Sequence, residues 1–317
     1  MSSSSDVPKH PRVIYSAWYD GRKNAPPVVQ LVFDRWEALN PNYEVRILDK
    51  QAVEKLLEGV DLQLQAISRP GLSDIVRTKL LIATGGIWAD STALPMIPLD
   101  DWLTEATRDS GFFAFERYDS PLASWFLCAE PASPVMNAWW AEIVRVWSRP
   151  RYDKTDGKRP PNGALAVSPQ ELARSQELPH YWFHSLFHYM LETKPEVKDT
   201  WERRLHLSAI TAHGLQELFL ENPNPTDEEV VRTAYTSPVQ KLNWRNPYPV
   251  ERLAALIQQF PTPASVPPVP NSSSVPADVP PSPVPDGQDP APAPGPTPAK
   301  GANPLQALST IFKIPRK

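Results

Sequence analysis

Two hydrophobic periods take turns along the first 260 residues. Val13 to Trp18 is an apolar run bounded by polar segments, which predicts a central strand. Val28, Leu31, Val32, Trp36 and Leu39 then recur at helical spacing. Pro26 suits the start of that helix and Asn40-Pro41 its end. Tyr43 to Leu48 alternates as a second strand, and Gln51 to Leu57 predicts a short helix closed by Gly59. Leu72, Ile75, Val76, Leu80 and Ile82-Ala83 set a longer amphipathic helix, with Ser73 as its cap and Gly85-Gly86 as its stop. Ile87-Trp88-Ala89 reads as a short buried strand with Asp90 at its carboxyl end. Strand, helix, strand, helix, helix, strand is the rhythm of an α/β sheet with right-handed crossovers.

Further on, Phe112 to Phe115 and Trp125 to Ala129 predict two more strands around the turn-rich Asp119 to Pro121. Ser133-Pro134 should open a helix whose apolar stripe is Val135, Met136, Trp139, Trp140, Ile143, Val144 and Trp147. Arg149 to Pro169 is polar with several Pro and Gly, and reads as a long loop over the site. His180, His184 and His188 fall at i, i+4, i+8 on a helix expected from Tyr181 to Leu191. That spacing could hold zinc, or His184 could hydrogen-bond inside the fold with its neighbours half exposed.

Composition divides the chain. Of 39 prolines, 15 lie between Pro261 and Pro298, a segment with three aspartates, no Lys or Arg and no aromatic residue. It has too little apolar surface to offset ordering entropy, which predicts polyproline-type disorder. The expected organisation is a disordered N-terminus at 1–10, a folded domain at 11–260, a Pro-rich linker at 261–302 and a short basic amphipathic tail at 303–317. In that tail Leu305, Leu308, Ile311 and Phe312 precede Lys313, Arg316 and Lys317, a pattern suited to a membrane surface or a partner. The net charge of −4 and the lack of a basic block in the body argue against nucleic acid. A lone cysteine, Cys128, forms no internal disulfide and fits a reducing compartment, as does an N-terminus without an apolar leader core. The expectation is a cytoplasmic protein, with the tail as a peripheral contact to the inner face of a membrane.

The candidate chemistry sits around the Gly-Gly turn. Asp74 and Arg77 share one helix face, and Asp90 ends the following strand. They could meet as a carboxylate–guanidinium–carboxylate cluster at a sheet edge, where α/β folds bind ligands, or remain a surface ion pair beside a turn aspartate.

Ser73-Asp74-x-x-Arg77 followed by Gly85-Gly86-Ile87-Trp88-Ala89-Asp90-Ser91-Thr92 resembles the signature of glycosyltransferase family 32, most of all its capsular-polysaccharide-synthesis branch. The likeness takes in Pro11 to Trp18, Asn24 to Pro27, Trp36, Asn40-Pro41-x-Tyr43, Leu48-Asp49, Ser124-Trp125-Phe126, Tyr181 to His184 and Ser237 to Trp244. It implies a GT-A-like fold, a mixed central sheet flanked by helices, and a configuration-retaining, hexosyl-type transfer from a nucleotide sugar to a glycan or glycolipid acceptor in surface-polysaccharide synthesis. By that likeness Asp74, Arg77 and Asp90 are catalytic, and Tyr15, Trp18, Asp74, Arg77, Lys241 and Trp244 bind the donor. A divalent metal, Mn²⁺ or Mg²⁺, would rest on Asp90, on Thr92 through water, and on Gln240 or Asn243. His184 would border the acceptor. Family members often carry Asp-x-Asp where this chain has Asp90-Ser91-Thr92, which removes one charge. That loss supports an alternative, a catalytically degenerate assembly subunit recruited through its Pro-rich arm.

Overall fold

The computed structural model describes residues 10–117, 120–153 and 169–259. Two compact units divide the chain, Met1–Gly287 and Gln288–Lys317, and every described residue lies in the first. The N-terminus before His10, most of the expected 149–169 loop, the Pro-rich linker and the basic tail lie outside the described residues.

In chain order the elements are β1 (Val13–Ala17), α1 (Pro27–Leu39), β2 (Glu44–Leu48), α2 (Lys50–Leu56), α3 (Arg69–Thr84), β3 (Gly86–Ala89), β4 (Ala93–Pro95), α4 (Leu103–Thr107), β5 (Phe112–Ala114) and β6 (Phe126–Ala129). They continue with α5 (Pro134–Trp147), β7 (Tyr152–Asp153), α6 (Pro169–Arg174), β8 (Glu177–Leu178), α7 (Trp182–Thr193), α8 (Pro195–Arg203), α9 (Ala209–Ala212), α10 (Gly214–Glu221), α11 (Asp227–Ala234), β9 (Val239–Lys241) and α12 (Val250–Gln259).

Five strands form a mixed sheet in the order β2-β1-β3-β6-β5. The pairs β2/β1 and β1/β3 are parallel, and β6 runs antiparallel to both β3 and β5. Strand alternation sorts the core into two layers. Ile14, Ile87, Phe113 and Cys128 face one cluster with Trp36 of α1 and Leu253 of α12. Tyr15, Trp88, Leu127 and Ala114 face the other, with α3, α5 and the Trp182–Met190 side of α7. Helices on both faces of a mixed sheet are the α/β architecture expected from the rhythm of the sequence.

The turn from α3 into β3 requires its two glycines. Gly85 and Gly86 have φ of +66° and +100°. A Cβ at Gly85 would stand 2.7 Å from the Pro131 nitrogen, and one at Gly86 2.7 Å from a Val13 methyl. Glycine alone fits both positions.

Some boundaries differ from expectation. Ser68, not Ser73, caps α3 by accepting from Gly71 N–H, with Pro70 inside the first turn. Ser133 precedes α5 but makes no side-chain cap bond. On α5 the buried stripe uses Val146, while Val144 is exposed and Trp140 half buried. Inside the expected 149–169 loop, Tyr152–Asp153 pairs with Glu177–Leu178 as a small parallel sheet.

Candidate active site

The carboxyl ends of β1, β2 and β3 lie along one edge of the sheet. Asp90 follows β3, and its backbone N–H is fixed to the Trp125 carbonyl at 2.8 Å. Two residues earlier, Trp88 points to the same face, so its indole Nε1–H donates to Asp90 Oδ1 at 2.8 Å. Arg77 of α3 donates from Nη2 to that oxygen at 3.2 Å and from Nη1 to the Ser124 carbonyl at 2.9 Å. Its Nη1 also lies 3.0 Å from Asp74 Oδ1. The sheet edge therefore brings Asp74, Arg77 and Asp90 together, rather than leaving a surface pair and a separate turn residue.

Burial grades this cluster. The Arg77 side chain is 6% exposed, that of Asp74 13% and that of Asp90 27%. The guanidinium also stands over the Trp88 and Phe183 rings, at 5.2 and 5.9 Å from their centroids. A buried arginine is tolerable only with anions at its face. Two carboxylates supply them, and the more exposed one borders open space.

The fourth charge arrives by a pairing that joins distant parts of the chain. After Asp90 the chain turns, Ala93 N–H donating to the Asp90 carbonyl, and enters β4. β4 pairs antiparallel with β9, setting Ala93 opposite Lys241 and Leu94 opposite Gln240. Alternation then sends these two neighbours to opposite sides. Lys241 Nζ donates to Thr92 Oγ1 at 2.5 Å and to the Leu242 carbonyl at 3.2 Å, and lies 4.0 Å from Asp90 Oδ2. Gln240 is fully buried on the other side. Its Oε1 accepts from Leu215 N–H and its Nε2 lies within bonding distance of the Thr211, Thr233 and Ala234 carbonyls.

Those contacts correct the expected Gln240 ligand role, because the amide is committed to stitching three helices. Asn243 is also engaged, its Oδ1 accepting from Arg245 N–H at 3.1 Å. Tyr15 is not at the edge. It is 3% exposed, and its hydroxyl pairs with Thr84 at the far end of α3. Trp18 and Trp244 do meet near the edge, ring edge to ring face at 5.7 Å, with the Arg245 guanidinium 4.0 Å over Trp244.

The fit of a divalent ion follows from these donors. Asp90 Oδ1 already takes two protein hydrogen bonds, and Oδ2 and Thr92 Oγ1 face one ammonium. An ion on Asp90 would have to share that carboxylate with the Lys241 ammonium 4.0 Å away, and the two cations would repel each other. Mg²⁺ and Mn²⁺ also need hard, anionic oxygens. Among the described residues no group of three or more His, Cys, Asp or Glu could hold a metal. The donor set does not fit the expected metal.

The histidine row disperses. His180 precedes α7 instead of lying on it, which removes the first rung of the i, i+4, i+8 ladder. His188 lies 3.5 Å from Glu192, and His184 packs against the Tyr181 and Phe183 rings. Since Phe183 also faces Arg77, His184 is one residue from the wall of the site.

An open cavity of about 290 Å³ occupies the same edge, lined by Tyr19, Asp20, Gly21, Asp49, Lys50 and neighbours. The Tyr19 hydroxyl pairs with Ser73 at 3.4 Å, one residue before Asp74, and burial pushes its phenol pKa up. Tyr19 is not singled out by the sequence, and Trp88 and Ser124 stand there only in a strand and in the resemblance, with no role at the site. The period-two placement of Trp88 and Asp90 was the one available signal.

Residues 2–153, just under half of the chain, match the family model described as capsular polysaccharide synthesis protein. Among curated proteins, Saccharomyces cerevisiae HOC1, whose name describes a glycosyltransferase, is 21% identical over 168 residues. That alignment covers 46% of this chain and 42% of HOC1, so the chain spans less than half the length of this relative. A superposition on the PaToxG glycosyltransferase covers 78% of this chain and 86% of that one, with 13% identity and a TM-score of 0.34. So loose a superposition carries no argument. The chain is glycosyltransferase-like and similar to the capsular synthesis family over its first half.

Proposed function

We propose that this chain transfers a sugar from a nucleotide diphosphate donor to a glycan or glycolipid acceptor in capsular or surface polysaccharide assembly, with retention of anomeric configuration. The observation that supports it most is the convergence of Arg77 and Lys241 on Asp90, from opposite sides, at the carboxyl edge of the sheet. The match of residues 2–153 supports the polysaccharide setting.

In this reading Asp74 and Asp90 accept hydrogen bonds from donor-sugar hydroxyls and orient the guanidinium. Arg77 and Lys241 meet the charge that develops on the leaving diphosphate, a contribution of the kind fixed cations make when aimed at a transition state. The bond from the anomeric carbon to the phosphate oxygen breaks, its electron pair leaving on phosphate. The acceptor oxygen bonds that carbon from the same face, and its proton passes to the departing phosphate oxygen. No protein nucleophile is needed. The Tyr19–Asp49 cavity would take the nucleotide end, and the Tyr181–His184 start of α7 would border the acceptor.

A panel of nucleotide sugars tests this directly. A true donor should raise the melting temperature by mass action, about 2.7 kcal/mol of stabilisation at 100 times its dissociation constant, and should be consumed in the presence of glycan acceptors. A panel of uridine, guanosine and cytidine diphospho-sugars that neither stabilises the protein nor is consumed would reject the proposal.

A further inference from the structure

We propose that the Lys241 ammonium stands in the place of a divalent cation, so that this site binds and releases a diphosphate without metal. The inference deepens the sugar-transfer reading and rests on it for the identity of the ligand.

Two independent features of the chain converge here. The first is local: where an Asp-x-Asp pair would present two carboxylates, Asp90-Ser91-Thr92 presents one carboxylate and one hydroxyl. The second comes from far along the chain: the β4/β9 register sets Lys241 opposite Ala93, and its Nζ reaches Thr92 Oγ1 at 2.5 Å. A hydroxyl accepts from an ammonium, whereas a second carboxylate would draw a metal or form a closed ion pair. Threonine at 92 and lysine at 241 are therefore complementary.

Charge then decides between the two occupants. Asp74 and Asp90 contribute two negative charges, and Arg77 and Lys241 two positive ones, so the protein cluster is neutral. A neutral cluster has no excess of negative charge to hold Mn²⁺. It does have two cationic heads on Asp90, the buried Arg77 at Oδ1 and the more exposed Lys241 beside Oδ2. An ammonium has three N–H donors, and two of Lys241's are spent on Thr92 and the Leu242 carbonyl. The third is available to an anion arriving beside Asp90, whose Oδ2 is 4.0 Å away. The Lys241 side chain is 20% exposed, which lets a ligand reach it while excluding much of the water that would screen it.

The test uses inorganic pyrophosphate as the probe, measured by calorimetry on the full chain in EDTA and again with Mn²⁺. Wild type should bind pyrophosphate in EDTA, and Lys241→Ala should weaken that binding by about tenfold or more, the loss of one charge-assisted hydrogen bond. The double variant Thr92→Asp/Lys241→Ala should take up Mn²⁺, seen as loss of the free-ion electron paramagnetic resonance signal, under conditions where wild type leaves the signal unchanged. Circular dichroism melting checks that each variant folds. Pyrophosphate binding by wild type only when Mn²⁺ is added, no pyrophosphate binding in either condition, or uptake of Mn²⁺ by wild type alone would each overturn the inference. Metal-free pyrophosphate binding without consumption of any nucleotide sugar would leave the inference standing and defeat the sugar-transfer reading instead.

Discussion

Two buried arginines serve the same edge of the sheet in different ways. Arg204 follows α8 and reaches Glu116, which lies beyond the carboxyl end of β5, a strand parallel to β3 because both oppose β6. Its side chain is fully buried and its donors are spent. They go to the Ala114 and Trp201 carbonyls and to Glu116 Oε1 at 2.7 Å, and the guanidinium stacks 3.2 Å over the Trp201 ring. Burial pulls its pKa down to about 10. Arg77 instead holds one carbonyl and two carboxylates, one of them partly open and shared with Lys241. The difference shows what separates a clamp from a site. The carboxylates are about equally open, Glu116 30% and Asp90 27% exposed, so the difference lies in the cations: Arg204 spends its donors within the protein, whereas Asp90 is shared with a second cation, Lys241.

The sharpest way to break that contrast is to remove each guanidinium in turn. Arg77→Ala should cut sugar transfer by about 10²–10³-fold, the usual cost of losing a charge-stabilising group. It should also cost about 3–5 kcal/mol of stability by leaving buried carboxylate unpaired. Arg204→Met should cost about 3 kcal/mol in denaturant melts, with turnover per folded molecule unchanged. Equal losses of turnover in both variants would erase the distinction.

A smaller effect sharpens the clamp side. Burial raises the Glu116 pKa, but the Arg204 and His206 bonds outweigh it and hold the carboxyl below its usual range. A depressed folded pKa contributes stability that is present above the unfolded carboxylate value and lost as pH falls through the folded one. The melting-temperature advantage of wild type over Glu116→Gln should therefore be full near neutral pH and shrink as pH falls below about 4.5. An advantage constant from pH 7 to pH 3 would show that the carboxylate charge is not what holds Arg204.

Much of this was legible in the sequence, for reasons that differ by element. The α3–Gly-Gly–β3 passage was readable because helical periodicity, two glycines and a short apolar run agree within twenty-odd residues. The start of α3 was misplaced because its apolar stripe begins at Leu72, while the chain turns helical at Arg69 behind the Ser68 cap. The β4/β9 pair could not be read from pattern. Each strand is three residues long, and nothing local in Ala93–Pro95 announces a partner at Val239–Lys241. Family resemblance pointed to Lys241 but also to Gln240. Register separated them, since adjacent residues on a strand face opposite ways. Tyr15 shows the same limit, because resemblance named it for the donor and packing turned it inward to Thr84.

The most direct test of the central claim is nucleotide-sugar turnover by Asp90→Asn, which keeps the size of the side chain that Trp88, Arg77 and Lys241 converge on. The account predicts a loss of about 10²–10³-fold, with circular dichroism and melting temperature close to wild type. Turnover at the wild-type rate in a folded Asp90→Asn protein would contradict it.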